Sequence, residues 1–137
     1  MDEERIRKRL ALLKETVGLL NGSLPDDERA YLASDRLMRD ATERRLQVIS
    51  EAELDVMRVL YKDLGKRVVG DEESLIEALG DALGKKATEH VRRRRALRNR
   101  LVHAYSDVDQ SEVYREASEV DDLAEFERAV VKLLARR

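Results

Sequence analysis

Apolar residues along this chain recur at steps of three and four, the spacing of one buried helix face. Ile6, Leu10, Leu13, Val17 and Leu20 predict an amphipathic first helix over about residues 3–20, closed by Asn21, Gly22 and Ser23. Leu24, Pro25 and Asp26 can open a short helical turn reaching Leu32, since proline fits a first turn. Ser34 or Asp35 is a suitable cap for a long second helix that runs to about Leu64. Its stripe is Leu46, Ile49, Val56 and Leu60, with Val48, Ala52 and Val59 beside it, and Gly65 is its stop. Residues 66–73 read as a charged connection. Ser74 with Glu77 resembles a capping box before a third helix, Leu75 to Leu83, and Gly84 breaks the pattern. A fourth helix is expected from about Lys85 to Ser106. Asp109 and Glu112 offer another capping box, and Val113, Ala117, Val120, Ala124, Val131 and Leu134 mark a fifth helix to the end.

Composition agrees with an all-α fold. Charged residues make up 41% of the 137 positions and aromatics 4%, with one Pro and six Gly to interrupt helices. The expectation is a single domain, residues 1–137, built as an up-down bundle of about five helices. The chain contains no Cys, so disulfides and Cys metal sites are excluded. No His pair has transition-metal spacing, and no metal or other cofactor is expected. No apolar run reaches membrane-spanning length, and MDEERIRKRL lacks the apolar core of a signal peptide, so a cytoplasmic location is expected.

The net charge is −2, which excludes a uniformly basic nucleic-acid binder. The asymmetry is local. Lys85 to Arg100 is strongly basic, and Asp107 to Glu127 is mostly acidic. The basic stretch contains RRRRALRNRLVHAY, Arg92 to Tyr105. With 100 degrees per residue, Leu97, Leu101 and Ala104 fall on the side a bundle would bury. Arg92, Arg95, Asn99, Val102 and His103 gather on roughly the opposite side, with Arg98 at its flank. Asn99 and His103 lie one above the other. Arg98 and His103 diverge by about 140 degrees, so one copy cannot close both on a single phosphate. A second copy facing the first could.

An isolated His and Arg on a helix is more often a solvated basic face than a site. Here Ala96 and Val102 make the second face half apolar, as a partner surface would be. Asn99, one of two Asn in the chain, sits mid-helix, where its propensity is poor. His90 reads as a surface residue. Asp109 reads as a cap, and Asp107, Asp121 and Asp122 as a solvated face rather than a metal site. Asp55 is left open between a buried hydrogen-bond partner and an interface residue. Tyr31, Tyr61 and Phe126 read as core or interface aromatics.

Arg98, Asn99, three residues, His103, one residue and Tyr105, followed by Asp107 and Asp109 and an amphipathic last helix, resembles the HEPN ribonuclease domain, specifically its HepT toxin branch. ERRLQVISEAELDV, Glu43 to Val56, resembles that branch's second helix. The likeness covers roughly residues 1–135. The four consecutive arginines before the motif are more basic than the family pattern.

The resemblance implies a homodimer whose motif helices face each other across a two-fold axis. It implies metal-independent RNA cleavage through the RNA's own 2′-hydroxyl. His103 from two copies would share the acid and base roles, and Arg98 would brace the phosphate. Asn99 would orient His103 or the phosphate. Arg92 and Arg95 would attract the RNA backbone. Tyr105 is either a rim tyrosine or, as the resemblance implies, the site where a partner nucleotidyltransferase antitoxin adds AMP. Two other readings stay open. One is a non-catalytic helical dimer that serves as scaffold or substrate of that partner. The other is a helical nucleic-acid-binding module.

Overall fold

A computed structural model of the protein describes residues 2–65, 70–103 and 108–136. All regular structure among them is helical, in the order α1 Glu3–Ser23, α2 Glu28–Leu32, α3 Arg36–Asp63, α4 Glu72–Ala78, α5 Gly80–Leu83, α6 Lys85–His103, α7 Gln110–Ser118, a 3₁₀ turn Val120–Asp122, and α8 Leu123–Ala135. None of the described helices is long and apolar enough to cross a membrane.

Aspartate starts most of these helices. Asp2 accepts from the amide of Arg5, Asp27 from Ala30, Asp35 from Met38 and Asp109 from Ser111, each satisfying an amide that the helix itself leaves unpaired. Asp35, rather than Ser34, is therefore the cap of α3. Asp109 caps α7, but Glu112 does not complete a capping box, because its carboxylate takes Arg100 of α6 instead.

Three expectations are corrected. The third helix is two pieces, and it begins earlier than Ser74. Asp71 is the cap and accepts from the Ser74 amide, so Ser74 lies inside the first turn. The fifth helix is broken by the 3₁₀ turn into α7 and α8. His90 and Asp122 are not solvated. Their side chains are 14% and 17% exposed, and they face each other with Nδ1 and Oδ2 at 3.4 Å. Asp121 is exposed and accepts from Asn21.

The core takes its residues from the predicted stripes. Ile6, Leu10, Leu13 and Leu20 of α1 are buried with Leu46, Ile49, Val56 and Leu60 of α3, and α1 packs along α3. Asp55 closes that contact, accepting from Arg5 and Arg9 of α1. Val91, Leu97 and Leu101 bring α6 onto the other side of α3. Leu123, Phe126, Val130 and Leu134 seat α8.

One charged side chain also points into this core. Arg94 is 2% exposed, and its guanidinium donates Nε and Nη2 to the two carboxylate oxygens of Glu53, both at 2.7 Å. Nη1 donates to Oδ1 of Asp122 at 2.6 Å. Burial works against the charge of Arg94, but Glu53 and Asp122 outweigh it and raise its pKa. Arg93 joins from the rim, donating to Asp122 and to the buried Glu116.

Arg94→Met is expected to cost about 3–5 kcal/mol, because the Glu53 carboxyl, whose pKa burial already raises, is left in the core without its partner. Adding Glu53→Leu should recover much of that loss, with urea unfolding midpoints as the measure. Equal midpoints for the single and double variants would refute the pairing. Asp55 gives a pH-dependent counterpart. Burial raises its carboxyl pKa, but the hydrogen bonds from Arg9 and Arg5 outweigh this and set it below the ordinary 3.8. Its stabilisation is therefore whole above about pH 4 and is lost as pH falls through the depressed value. Asp55→Asn should be less stable at pH 7 by on the order of 1 kcal/mol, a small value since both arginines are half exposed. The difference from wild type should shrink as pH falls through that depressed value.

Candidate functional site

The inward arginine fixes which face of α6 remains open. Arg94, Leu97 and Leu101 are buried, so the residues turned away from them emerge on the surface. Val102 is 39% exposed and His103 is exposed in the last described turn. Asn99 and Ala96 are half buried. Arg98 stands at the border, its side chain 15% exposed. Among the described residues His103 has no hydrogen-bond partner. Tyr105, together with Ala104, Ser106 and Asp107, lies outside the described residues.

Arg98 is held on one edge. Its Nε and Nη2 donate to Oδ1 of Asn99 at 3.2 and 2.9 Å, and Nη2 also donates to Oε1 of Glu72 at 2.5 Å. Asn99 thus orients Arg98, and no bond from it to His103 is present. Nη1 of Arg98 has no hydrogen-bond partner among the described residues.

Glu72 and Glu73 come from the first turn of α4, where carboxylates also suit the helix dipole. Glu72 takes three guanidiniums. Besides Arg98 it accepts from Nε of Arg95 at 2.9 Å and from Nη2 of Arg58 on α3 at 2.8 Å. Glu73 accepts from Nε of Arg92 at 2.6 Å and pairs with Nη1 of Arg95 at 3.7 Å. Burial raises the Glu72 carboxyl, but the hydrogen bonds from Arg95 and Arg98 outweigh it and hold it below the usual carboxylate range. It is an anion at neutral pH. Four guanidiniums meet two carboxylates here, and even with the capping Asp71 counted, positive charge is in surplus.

Sequence reasoning put Arg92, Arg95, Asn99, Val102 and His103 on one side of one helix with Arg98 at its flank, and all six lie on α6 outside its buried stripe. It missed Glu72, Glu73 and Arg58. The signal was present: an N-capping Asp followed by two Glu, in a segment joined to an arginine-rich helix. Among the described residues no group of His, Asp and Glu converges as a metal-ligand cluster. The arrangement can grip an anion at the free edge of Arg98 and present an imidazole to a reacting group. Within one copy, the two functions point about 140 degrees apart.

The model of the family described as "Ribonuclease HepT-like" matches residues 6–133. A protein of Archaeoglobus fulgidus named "Putative RNase" is 31% identical over 103 residues, which span 74% of this chain and 78% of that protein. YutE of Bacillus subtilis, a cytosolic protein whose solved structure is described as one of unknown function, has the same fold. It superposes with a TM-score of 0.78 at 20% identity, over 98% of this chain and 91% of its own. With nearly its whole length matched, the chain belongs to the HepT-like ribonuclease family.

Proposed function

We propose that this protein is a metal-independent endoribonuclease that acts as a homodimer, with two α6 helices facing across a two-fold axis. The support is the open face of α6. It carries a braced Arg98 whose Nη1 has no partner among the described residues, an exposed His103 and a surplus of positive charge, in a chain of a ribonuclease family.

In this reading the 2′-hydroxyl of the RNA attacks the adjacent phosphorus. One His103 takes the hydroxyl proton, and the partner subunit's His103 protonates the departing 5′-oxygen. The P–O5′ bond breaks, leaving a 2′,3′-cyclic phosphate and a 5′-hydroxyl. Arg98 meets the phosphoryl oxygens through its free edge as charge builds there. Arg92 and Arg95 add attraction to the RNA backbone. The two-fold axis supplies the convergence that a single helix denies, because each copy contributes what the other directs elsewhere.

The same reading makes the protein the toxin of a toxin–antitoxin pair. A nucleotidyltransferase partner would neutralise it by adding AMP to Tyr105. An anionic group two residues from His103 would offset the cleft's positive charge and obstruct RNA.

Purified protein is expected to cut RNA in EDTA and to leave 2′,3′-cyclic phosphate ends. His103→Ala should lower the rate at least about 100-fold with unchanged circular dichroism. Sedimentation should show two subunits at working concentration. Identical RNA fragments from wild type and His103→Ala, or a lone subunit in the centrifuge, would overturn the proposal.

A further inference from the structure

We propose that Glu72 is a positioning residue for this chemistry: its carboxylate binds Arg95 and Arg98 of α6 and Arg58 of α3, and fixes Arg98 with its Nη1 edge open. The inference rests on the ribonuclease reading and extends it to a residue outside the Arg98–His103–Tyr105 motif, on a different helix.

The geometry divides the work within the cluster. Oε1 of Glu72 is shared between Nε of Arg95 and Nη2 of Arg98, while Oε2 takes Nη2 of Arg58. One carboxylate thereby ties α3, α4 and α6 together at the height of the motif. Without it, three guanidiniums crowd one spot with only Glu73 left to pair with Arg95, and Arg58 and Arg98 separate from it. Arg98 has four freely rotating side-chain bonds, and Asn99, its neighbour on the same helix, restrains only its inner edge. Glu72 holds Nη2 from across the gap, so the plane of the guanidinium is set by two elements instead of one.

The same contact could instead be read as a carboxylate that blocks Arg98. Charge and geometry favour positioning. Glu72 is bound by three cations at once, so an arriving phosphate meets a net positive group and not a bare carboxylate. Glu72 also occupies Nη2 and leaves Nη1 without a partner among the described residues. The two alternatives predict opposite changes. A blocking carboxylate, once removed, would raise the rate. A positioning one would lower it, while affinity for RNA holds or improves, because a negative charge has left the phosphate-binding face.

The test uses the full-length protein in its oligomeric state. Cleavage of a short single-stranded RNA would be compared for wild type, Glu72→Gln and Glu72→Ala. Glu72→Ala is expected to lower kcat about 10- to 100-fold, with KM unchanged or reduced. Glu72→Gln, which keeps an acceptor oxygen, should fall between. In an Arg98→Ala background, Glu72→Ala should change the residual rate less than about twofold, since its action passes through Arg98.

A second readout does not depend on turnover. Nitrogen-15 spectra of the arginine guanidiniums should show resolved, slowly rotating Nη signals for Arg98 in wild type that average together in Glu72→Ala, with the amide spectrum otherwise retained. Unchanged Arg98 signals, a kcat within twofold of wild type, or a faster enzyme would overturn the proposal. If wild type cuts no RNA, the ribonuclease reading fails, and the guanidinium spectra alone decide whether Glu72 fixes Arg98.

Discussion

The structure depends on a charge placed where a bundle would ordinarily put an aliphatic side chain. Arg94 lies on the inward stripe of α6 between Val91 and Leu97, and Glu53 lies on the inward stripe of α3 among Leu54, Val56 and Met57. Burying such a pair confers little net stability, because the desolvation of both ions offsets their attraction. What it does confer is register. A leucine at position 94 could pack with α6 rolled by some tens of degrees. A bidentate guanidinium–carboxylate contact cannot survive that roll without stranding two charges. The roll of α6 is therefore fixed at Arg94. Nine residues later, at 100 degrees each, His103 emerges on the opposite side of the helix. The open face is a geometric consequence of the buried pair.

The same pair organises the far side of the chain. Nη1 of Arg94 draws the Asp122 carboxylate inward, which explains why Asp122 precedes α8 without capping it through its side chain. The 3₁₀ turn delivers that carboxylate, and α8 then packs its apolar stripe onto the core. Beyond α6, a second polar chain re-anchors the backbone. Tyr31 of α2 donates to the side-chain Oε1 of Gln110, and Nε2 of Gln110 donates to Glu43 of α3. Burial, reinforced by Glu43, pushes the Tyr31 hydroxyl up to about 12, so it remains a donor. The chain is thus held before α6 by α4 and α5, and again at Gln110 by this relay.

How much of this could be read from sequence differed by kind of interaction. Long amphipathic helices were legible, since their stripes repeat over many turns: α1 and α3 fall within a few residues of expectation, and α6 begins at Lys85 as expected. The break between α7 and α8 was not read, although a trace existed. Ala117, Val120, Leu123 and Phe126 step by three throughout, the period of a 3₁₀ segment rather than of an α-helix. Asp71 was hidden because Ser74 and Glu77 imitate a cap three residues later. The buried arginine was hidden for a different reason. In a run of four arginines each looks solvated, and only the steps from Val91 through Arg94 to Leu97 and Leu101 show that one lies on the core stripe. The partners of charged residues, Glu72 for Arg98 and Glu53 for Arg94, are 26 and 41 positions away, a distance that spacing rules do not cover.

A two-fold pairing of the α6 faces, as proposed, raises an electrostatic difficulty that the structure already answers in part. Two unit charges about 8 Å apart repel by about 2 kcal/mol at an effective dielectric near 20. Bare faces carrying Arg58, Arg92, Arg95 and Arg98 would oppose association several times over. Glu72 and Glu73 lower that opposition by sitting among the guanidiniums, while Val102 and Ala96 offer apolar area for contact. Full neutralisation would end the attraction for a phosphate, and the residual positive charge preserves it. The acidic pair at the start of α4 therefore stands between two requirements, few enough carboxylates to keep a polyanion's affinity and enough to let two copies approach. An RNA strand laid between the faces would supply the remaining negative charge, so substrate binding and subunit pairing would reinforce each other.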